Sequence, residues 1–555
     1  MASSCSLQKS SFLVLLSVAI FFSTTFALNS SSPSPSTTTP GLNSTHFPLI
    51  RSICKSTPYP DFCFNSLKLS ISININPNII TFVLQILQNA ISEAGKLSDL
   101  LVHLGNTGII EQQIGIVQDC KDLHEITISS LQKTVSRIQS SPNKRNLSDA
   151  NAFLSAALTN KNTCLEDLDS ANGPSKPVLV NSIITTYKHV SNSLSLLSKA
   201  DRKSKAGKNN NKNRRLLGRF PAWLTRKSRR ILEDSDDNEY DPSEVITVAK
   251  DGSGNFTTVS DAIEFAPSDS YDRIIIYVKE GVYHENVEIS KHKTNIVLLG
   301  DGSDVTVITG KRSVVGGYTT FRSATVAVAG DGFLARDITF ENTAGPVKHQ
   351  AVALRINADL AAVYRCNIHG YQDTLYVHSF RQFYRECNIS GTVDFIFGNA
   401  AVVFQGCNII ARLPKAGQFN AITAHSRDSP DQNTGISIQN CSILASEDLF
   451  ESNMDVKSYL GRPWKEYART VYMESYIDDL ISPLGWKEWE GNSGLDTLYY
   501  GEYENTGPGS GTDNRVTWKG YNVMNYDDAL SYAVSELITG DEWLESTSFP
   551  YQDGI

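Results

Sequence analysis

Two aspartates are spaced so that a pair of carboxylates could share one task. Asp373 follows Cys366 by seven residues, and Asp394 follows Cys387 by seven. Each cysteine opens the same short pattern, Cys-Asn-Ile, so the two acids hold equivalent positions of a repeat. If equivalent residues stack on neighbouring strands, the acids are separated by about 4.8 Å, strand to strand. Carboxylates that close repel, and one keeps its proton at a pH where the other is ionised. A protonated acid beside an ionised nucleophile or base is what ester or glycoside hydrolysis requires. A carboxylate attacking an ester further needs desolvation, a fixed angle and a nearby proton donor. The plainer alternative is that both acids cap Gly-flanked turns.

The elements that would position them are short strands. Past Val245, the runs Ile274 to Val278, Ile296 to Leu299, Thr325 to Val328 and Ala351 to Leu354 are of β type. Cys366-Asn-Ile, Cys387-Asn-Ile, Cys407-Asn-Ile and Cys441-Ser-Ile then recur at gaps of 21, 20 and 34, the last leaving room for an inserted loop. A period near 20 residues with one strand pattern predicts a stacked solenoid, a right-handed parallel β-helix, with the cysteines in a ladder. A β-sandwich would supply short strands without requiring matched side chains at that spacing. After Cys407 the position equivalent to the aspartates is Pro414, which ends the acidic row at two.

Ahead of the strands the period is helical. Ile79, Phe82, Val83, Ile86, Leu87, Ala90 and Ala94 open one amphipathic series that runs on to Leu104. Val117 to Ile138, Phe153 to Leu165 and Val180 to Leu197 mark three more, and four such helices with short links predict an antiparallel bundle. Between Lys199 and Arg230 thirteen Lys or Arg face only Asp201, an exposed basic linker by composition. It holds two dibasic sites, Arg214-Arg215 and Arg229-Arg230, where a processing protease could cut; a simple solvated tether is the alternative. At the start, Lys9, the apolar run Phe12 to Phe22 and Thr25-Phe26-Ala27 predict a cleaved signal peptide, against an uncleaved anchor. The expected divisions are 1–27 signal, 28–44 Ser/Thr/Pro-rich spacer, 45–200 helical bundle, 201–240 linker and 241–555 β-helix.

Composition narrows the chemistry. A net charge of −9 argues against nucleic acid as partner. Beyond Cys5 eight cysteines remain, an even number that permits disulfides in a secreted chain. Sequons at Asn29, Asn43, Asn146, Asn255, Asn388 and Asn440 suit the same compartment. Scattered histidines and the absence of CxxC pairs point to no metal and no cofactor, and no GxSxG elbow is present.

From Val245 to Pro550 the chain resembles the plant pectin methylesterases. The stretches that carry the likeness are Gly281-Val-Tyr-His-Glu285, Gln350-Ala-Val-Ala-Leu-Arg355 and Gly370-Tyr-Gln-Asp-Thr-Leu-Tyr376. Gly391-Thr-Val-Asp-Phe-Ile-Phe-Gly-Asn399, Leu460-Gly-Arg-Pro-Trp464 and Asp496-Thr-Leu-Tyr-Tyr-Gly-Glu502 complete it. The resemblance implies Asp394 as nucleophile, Asp373 as proton donor and then base, and Gln372 with Gln350 as amides stabilising an oxyanion. It implies that Arg462 pairs with Asp394, and that Trp464 and Thr320 contact substrate. A surface ion pair for Arg462 and a core place for Trp464 are the alternatives. Phe397, Trp486 and Trp489 line the cleft or belong to the core. The resemblance also implies a Cys387–Cys407 disulfide and leaves the state of Cys366 and Cys441 open.

From Thr45 to Ala200, Cys54-Lys-Ser-Thr-Pro-Tyr-Pro-Asp-Phe-Cys63 with Cys120 and Cys164 resembles the invertase and pectin methylesterase inhibitor family. That implies disulfides Cys54–Cys63 and Cys120–Cys164, and a bundle that silences the enzyme or assists its folding until cleavage. An inert pro-region is the alternative. The expectation is an exported zymogen that removes methyl esters from pectin in the cell wall. Against it stands a binding protein, an inhibitor or wall-binding chain with a dead second domain. A polygalacturonase or lyase on the same solenoid is less consistent with amides beside the acid pair.

Overall fold

The computed structural model describes residues 47–68, 79–103, 108–205 and 245–555. The expected signal peptide, spacer and both dibasic sites lie outside them. Helices α1 (Phe47–Cys54) and α2 (Pro60–Lys68) form a hairpin closed by a Cys54–Cys63 disulfide. Then come α3 (Ile79–His103), α4 (Ile116–Ser140), α5 (Lys144–Asp169) and α6 (Lys176–Lys205). Each packs on the next and α6 closes back on α3, the antiparallel four-helix bundle that the apolar stripes require. Asn143 caps α5, accepting the Asn146 amide at 2.9 Å. Cys120 and Cys164 bridge α4 to α5. Helix α6 runs to Lys205, past Ala200 where the bundle was expected to stop.

From Ile246 the chain winds through three sheets of eleven, eight and seven strands, all paired in parallel. Each coil lays one strand in each sheet, so residues one coil apart stack in register. Asn367, Asn388, Asn408 and Ser442 pair in sequence, and so do Ile368, Ile389, Ile409 and Ile443. This is the parallel β-helix expected from the cysteine period. Ile274–Val278 and Ile296–Gly300 are strands as expected. The strand sought at Ala351 to Leu354 instead occupies Leu354–Ile356. Ala351 to Ala353 are buried in the approach to it, and an unbroken apolar run does not mark where pairing begins.

All four β-helix cysteines are free thiols buried in the core. The expected Cys387–Cys407 disulfide is therefore absent. The Cys387 thiol donates to the Arg385 carbonyl at 3.3 Å, while the Cys407 and Cys441 sulfurs each accept a backbone amide from the preceding coil. Cys387 N–H donates to Cys407 Sγ at 3.5 Å, and Cys407 N–H to Cys441 Sγ at 3.3 Å.

Candidate active site

The seven-stranded sheet carries the site. Its outward side chains alternate with core residues, as strand geometry demands. In register they form one row, Glu288, Ala327, Arg355, Tyr376, Phe397, Ala424 and Arg462. Asp373 and Asp394 stand three residues before Tyr376 and Phe397, where each coil turns into this sheet. Both take the left-handed backbone, φ 62° and 51°, which few non-glycine residues adopt and which re-aims the side chain at the turn. Asp373 N–H donates to Val393 C=O at 3.0 Å, fixing the acids one coil apart.

The next residue of this row is Ala421, not Pro414, because Phe397 pairs with Ala424. The segment that contains Pro414 loops out ahead of strand Asn420–His425. Equal counting from the cysteines fails where a coil is lengthened.

Arg462, two coils beyond Asp394, grips it bidentately, Nε to Oδ1 at 2.8 Å and Nη2 to Oδ2 at 2.6 Å. Burial pushes the Asp394 carboxyl up, and the Arg462 guanidinium opposes that shift. Asp373 is pushed well up by burial and then by the Asp394 charge, with Arg462 opposing more weakly. One acid thus holds a fixed cation and the other does not. The pair is electrostatically unequal, which favours an ionised Asp394 beside a protonated Asp373.

The amides frame the same turn. Gln372 and Gln350 enter the sheet on neighbouring coils, Ala351 N–H donating to the Gln372 carbonyl at 3.2 Å. The Gln372 Oε1 is buried without a partner. Thr320 precedes the short helical turn Phe321–Ser323 and is half-buried. Trp464 lies 6.0 Å from Phe397 and stacks with Trp489 at 6.3 Å, so these three rings make one aromatic wall. Arg462 sits over Trp489 at 4.0 Å. Trp486 is elsewhere: it is buried inside the solenoid against Tyr500, its Nε1 donating to Glu502.

The bundle packs on this face. Tyr376, Phe397, Phe321 and Ala424 belong to the same apolar cluster as the bundle core. Thr163 Oγ1 on α5 lies 2.9 Å from His378 Nε2, and Asn399 Nδ2 donates to Thr159 Oγ1 at 2.9 Å. Thr319 Oγ1 donates to Asp119 Oδ2 at 2.6 Å, Arg322 pairs with Asp119 and Asp122, and Lys465 pairs with Glu166 at 2.5 Å. The sequence reading assigned no role to Arg322, Arg355, His378 or Lys465. The signal for Arg355 was legible, since it is the outward residue of an otherwise apolar strand; the others depend on the bundle's position.

Comparison with known proteins agrees with this geometry. Residues 245–541 match the family described as Pectinesterase, and residues 48–196 match Plant invertase/pectin methylesterase inhibitor. Probable pectinesterase/pectinesterase inhibitor 12 of Arabidopsis thaliana is 65% identical over 93% of this chain and 95% of its own. Pectinesterase 1 of Citrus sinensis is 44% identical over 92% and 90%. The solved pectin methylesterase from carrot is 55% identical, with a TM-score of 0.56, covering 58% of this chain and all of its own. The chain belongs to the pectinesterase family, carboxylic ester hydrolases, and carries an inhibitor-family helical bundle ahead of its β-helix.

Proposed function

We propose that Asp394 is the nucleophile of this esterase and Asp373 its acid and base. The observation that carries the assignment is the bidentate Arg462 clamp on one acid of a stacked pair. Asp394 attacks the carbonyl carbon of a methyl galacturonate in pectin, and Asp373 donates its proton to the departing methoxide, releasing methanol. Asp373, now ionised, takes a proton from water as that water attacks the acyl-enzyme, and the C–O bond to Asp394 breaks. Gln372 and Gln350 donate to the oxyanion in each step. Trp464 gives a sugar ring a flat face, and Thr320 contacts it at the cleft edge.

The full chain is a zymogen in this reading. Helix α5 lies against Tyr376 through Thr163, α4 meets Thr319 and Arg322, and the bundle core shares an apolar cluster with Tyr376 and Phe397, where a polymer would lie. Cleavage in the basic linker, at Arg214-Arg215 or Arg229-Arg230, then frees a secreted enzyme for the cell wall. Methanol release from methylated pectin is the test. It is expected from the cleaved protein, weak from the intact chain, and lost in Asp394→Ala. Equal release from intact and cleaved protein would remove the inhibitory role, and release by folded Asp394→Ala would remove the nucleophile.

A further inference from the structure

Beside the reacting pair lies a cationic residue to which the chemistry above gives no role, although it ends the stretch Gln350 to Arg355. Arg355 is the outward neighbour of Tyr376, one strand from the coil of Asp373. Its side chain is almost wholly buried, at 6% exposure. The guanidinium lies over the Phe321 ring, 3.3 Å from its centre, and donates to Asn357 Oδ1 at 2.9 Å, while Nε has no partner. Arg322, next to Phe321 in the chain, is close enough to Arg355 for the two charges to act on each other.

What covers these two cations is a set of carboxyls from the bundle. Asp119 meets Arg322 Nε at 2.6 Å, and Asp122 meets its Nη2 at 2.6 Å. Arg355 is close enough to Asp119 for their charges to interact, and Asp167 feels both arginines. Asp167 Oδ2 is itself buried without a hydrogen-bond partner. Burial pushes Asp119, Asp122 and Asp167 upward, so these carboxylates are held where ionisation is costly. A core built for stability alone would place apolar side chains here.

Resting on the ester-hydrolase reading of the site, we propose that Arg355 and Arg322 form a subsite for a free carboxylate of de-esterified galacturonate, occupied in the full chain by Asp119, Asp122 and Asp167. The reaction turns neutral esters into carboxylates along one polymer. An extended uronate chain that crosses the stacked strands carries its neighbouring units along the outward row, past Tyr376 to Arg355. A guanidinium there binds the product of one turnover while the next ester reaches Asp394. Glu288, two strands from Arg355 in the same row, is the β-helix's own carboxylate close enough for its charge to act on both arginines. De-esterified polymer and bundle therefore compete for the same cations.

The carrot enzyme, matched over all of its length by 58% of this chain, shows that the β-helix portion stands as a folded unit. Calorimetry on that portion carrying Asp394→Asn reads binding of a fully de-esterified galacturonate oligomer, a probe with no ester to cut. Arg355→Met is expected to raise its Kd roughly tenfold, and Arg322→Met by a similar factor. In the otherwise wild-type portion, kcat/KM is compared on partly and fully methylated oligomers. The ratio favours the partly methylated one and falls several-fold in Arg355→Met, through KM. Folding of each variant is checked by its thermal melting. An unchanged Kd in both melting-competent arginine variants overturns the subsite. If the wild-type portion releases no methanol from either oligomer, the ester-hydrolase reading fails, and the binding measurement alone decides whether carboxylate is held there.

Discussion

Arg462 reaches back over two coils to Asp394 and binds both of its oxygens, while Asp373, one coil before Asp394, has no cation of its own. The two acids have the same type, turn and backbone conformation, and only this contact makes them different.

Breaking that contact has a defined sign. Burial raises Asp394 and Arg462 holds it down, so Arg462→Ala raises it further. The nucleophile is then protonated at higher pH, and the acid limb of the kcat/KM profile moves upward. Loss of a buried charge partner costs about 3–5 kcal/mol, and kcat falls by roughly a hundredfold or more. Arg462→Lys recovers little, since an ammonium lacks the two-pronged geometry. A pH–rate profile of the cleaved enzyme checks both the shift and its direction.

Docking of the bundle depends on pH through Asp119. Its carboxyl is raised from 3.8 to about 7, first by burial, with Arg322 and the Thr319 hydroxyl opposing. The docked form therefore binds the proton more tightly than the free bundle. The contribution is full below pH 3.8 and is lost as pH rises through about 7. Size-exclusion chromatography of linker-cleaved protein should show a tighter complex at pH 5 than at pH 8. Asp119→Asn should reduce that difference without abolishing it, because burial also raises Asp122 and Asp167.

Thr163 sits on α5 with its hydroxyl 2.9 Å from the buried His378 Nε2. Burial first, and then the Arg355 charge, hold that imidazole neutral. Thr163→Val leaves the ring nitrogen unsatisfied, at a cost of roughly 1–3 kcal/mol. The expected outcome is binding of the bundle to the β-helix weakened by about fivefold to a hundredfold. Surface plasmon resonance between the separated parts reads the change.

The thiol ladder predicts a labelling pattern. Alkylation of denatured, unreduced protein should modify Cys366, Cys387, Cys407 and Cys441, and spare Cys54, Cys63, Cys120 and Cys164. Peptide mass mapping gives the answer, and protection of Cys387 and Cys407 would restore the disulfide between them.

Much of this protein was determined by sequence alone wherever a pattern repeats locally. One strand pattern at 21 residues already implied that Asp373 and Asp394 stack, because a parallel solenoid keeps its register from coil to coil. Apolar spacing of three and four likewise implied α3 to α6. Tertiary structure decided what no local period records. Pro414 gave way to Ala421 because an inserted loop breaks the count. Trp486 and Trp489, three residues apart, went to the core and the cleft. Asp119 met Thr319 across 200 residues of chain, and Arg355 acquired its meaning only once the bundle's carboxyls came to rest over it. Such contacts join surfaces whose complementarity lies in shape and charge after folding, and neither is periodic along the chain.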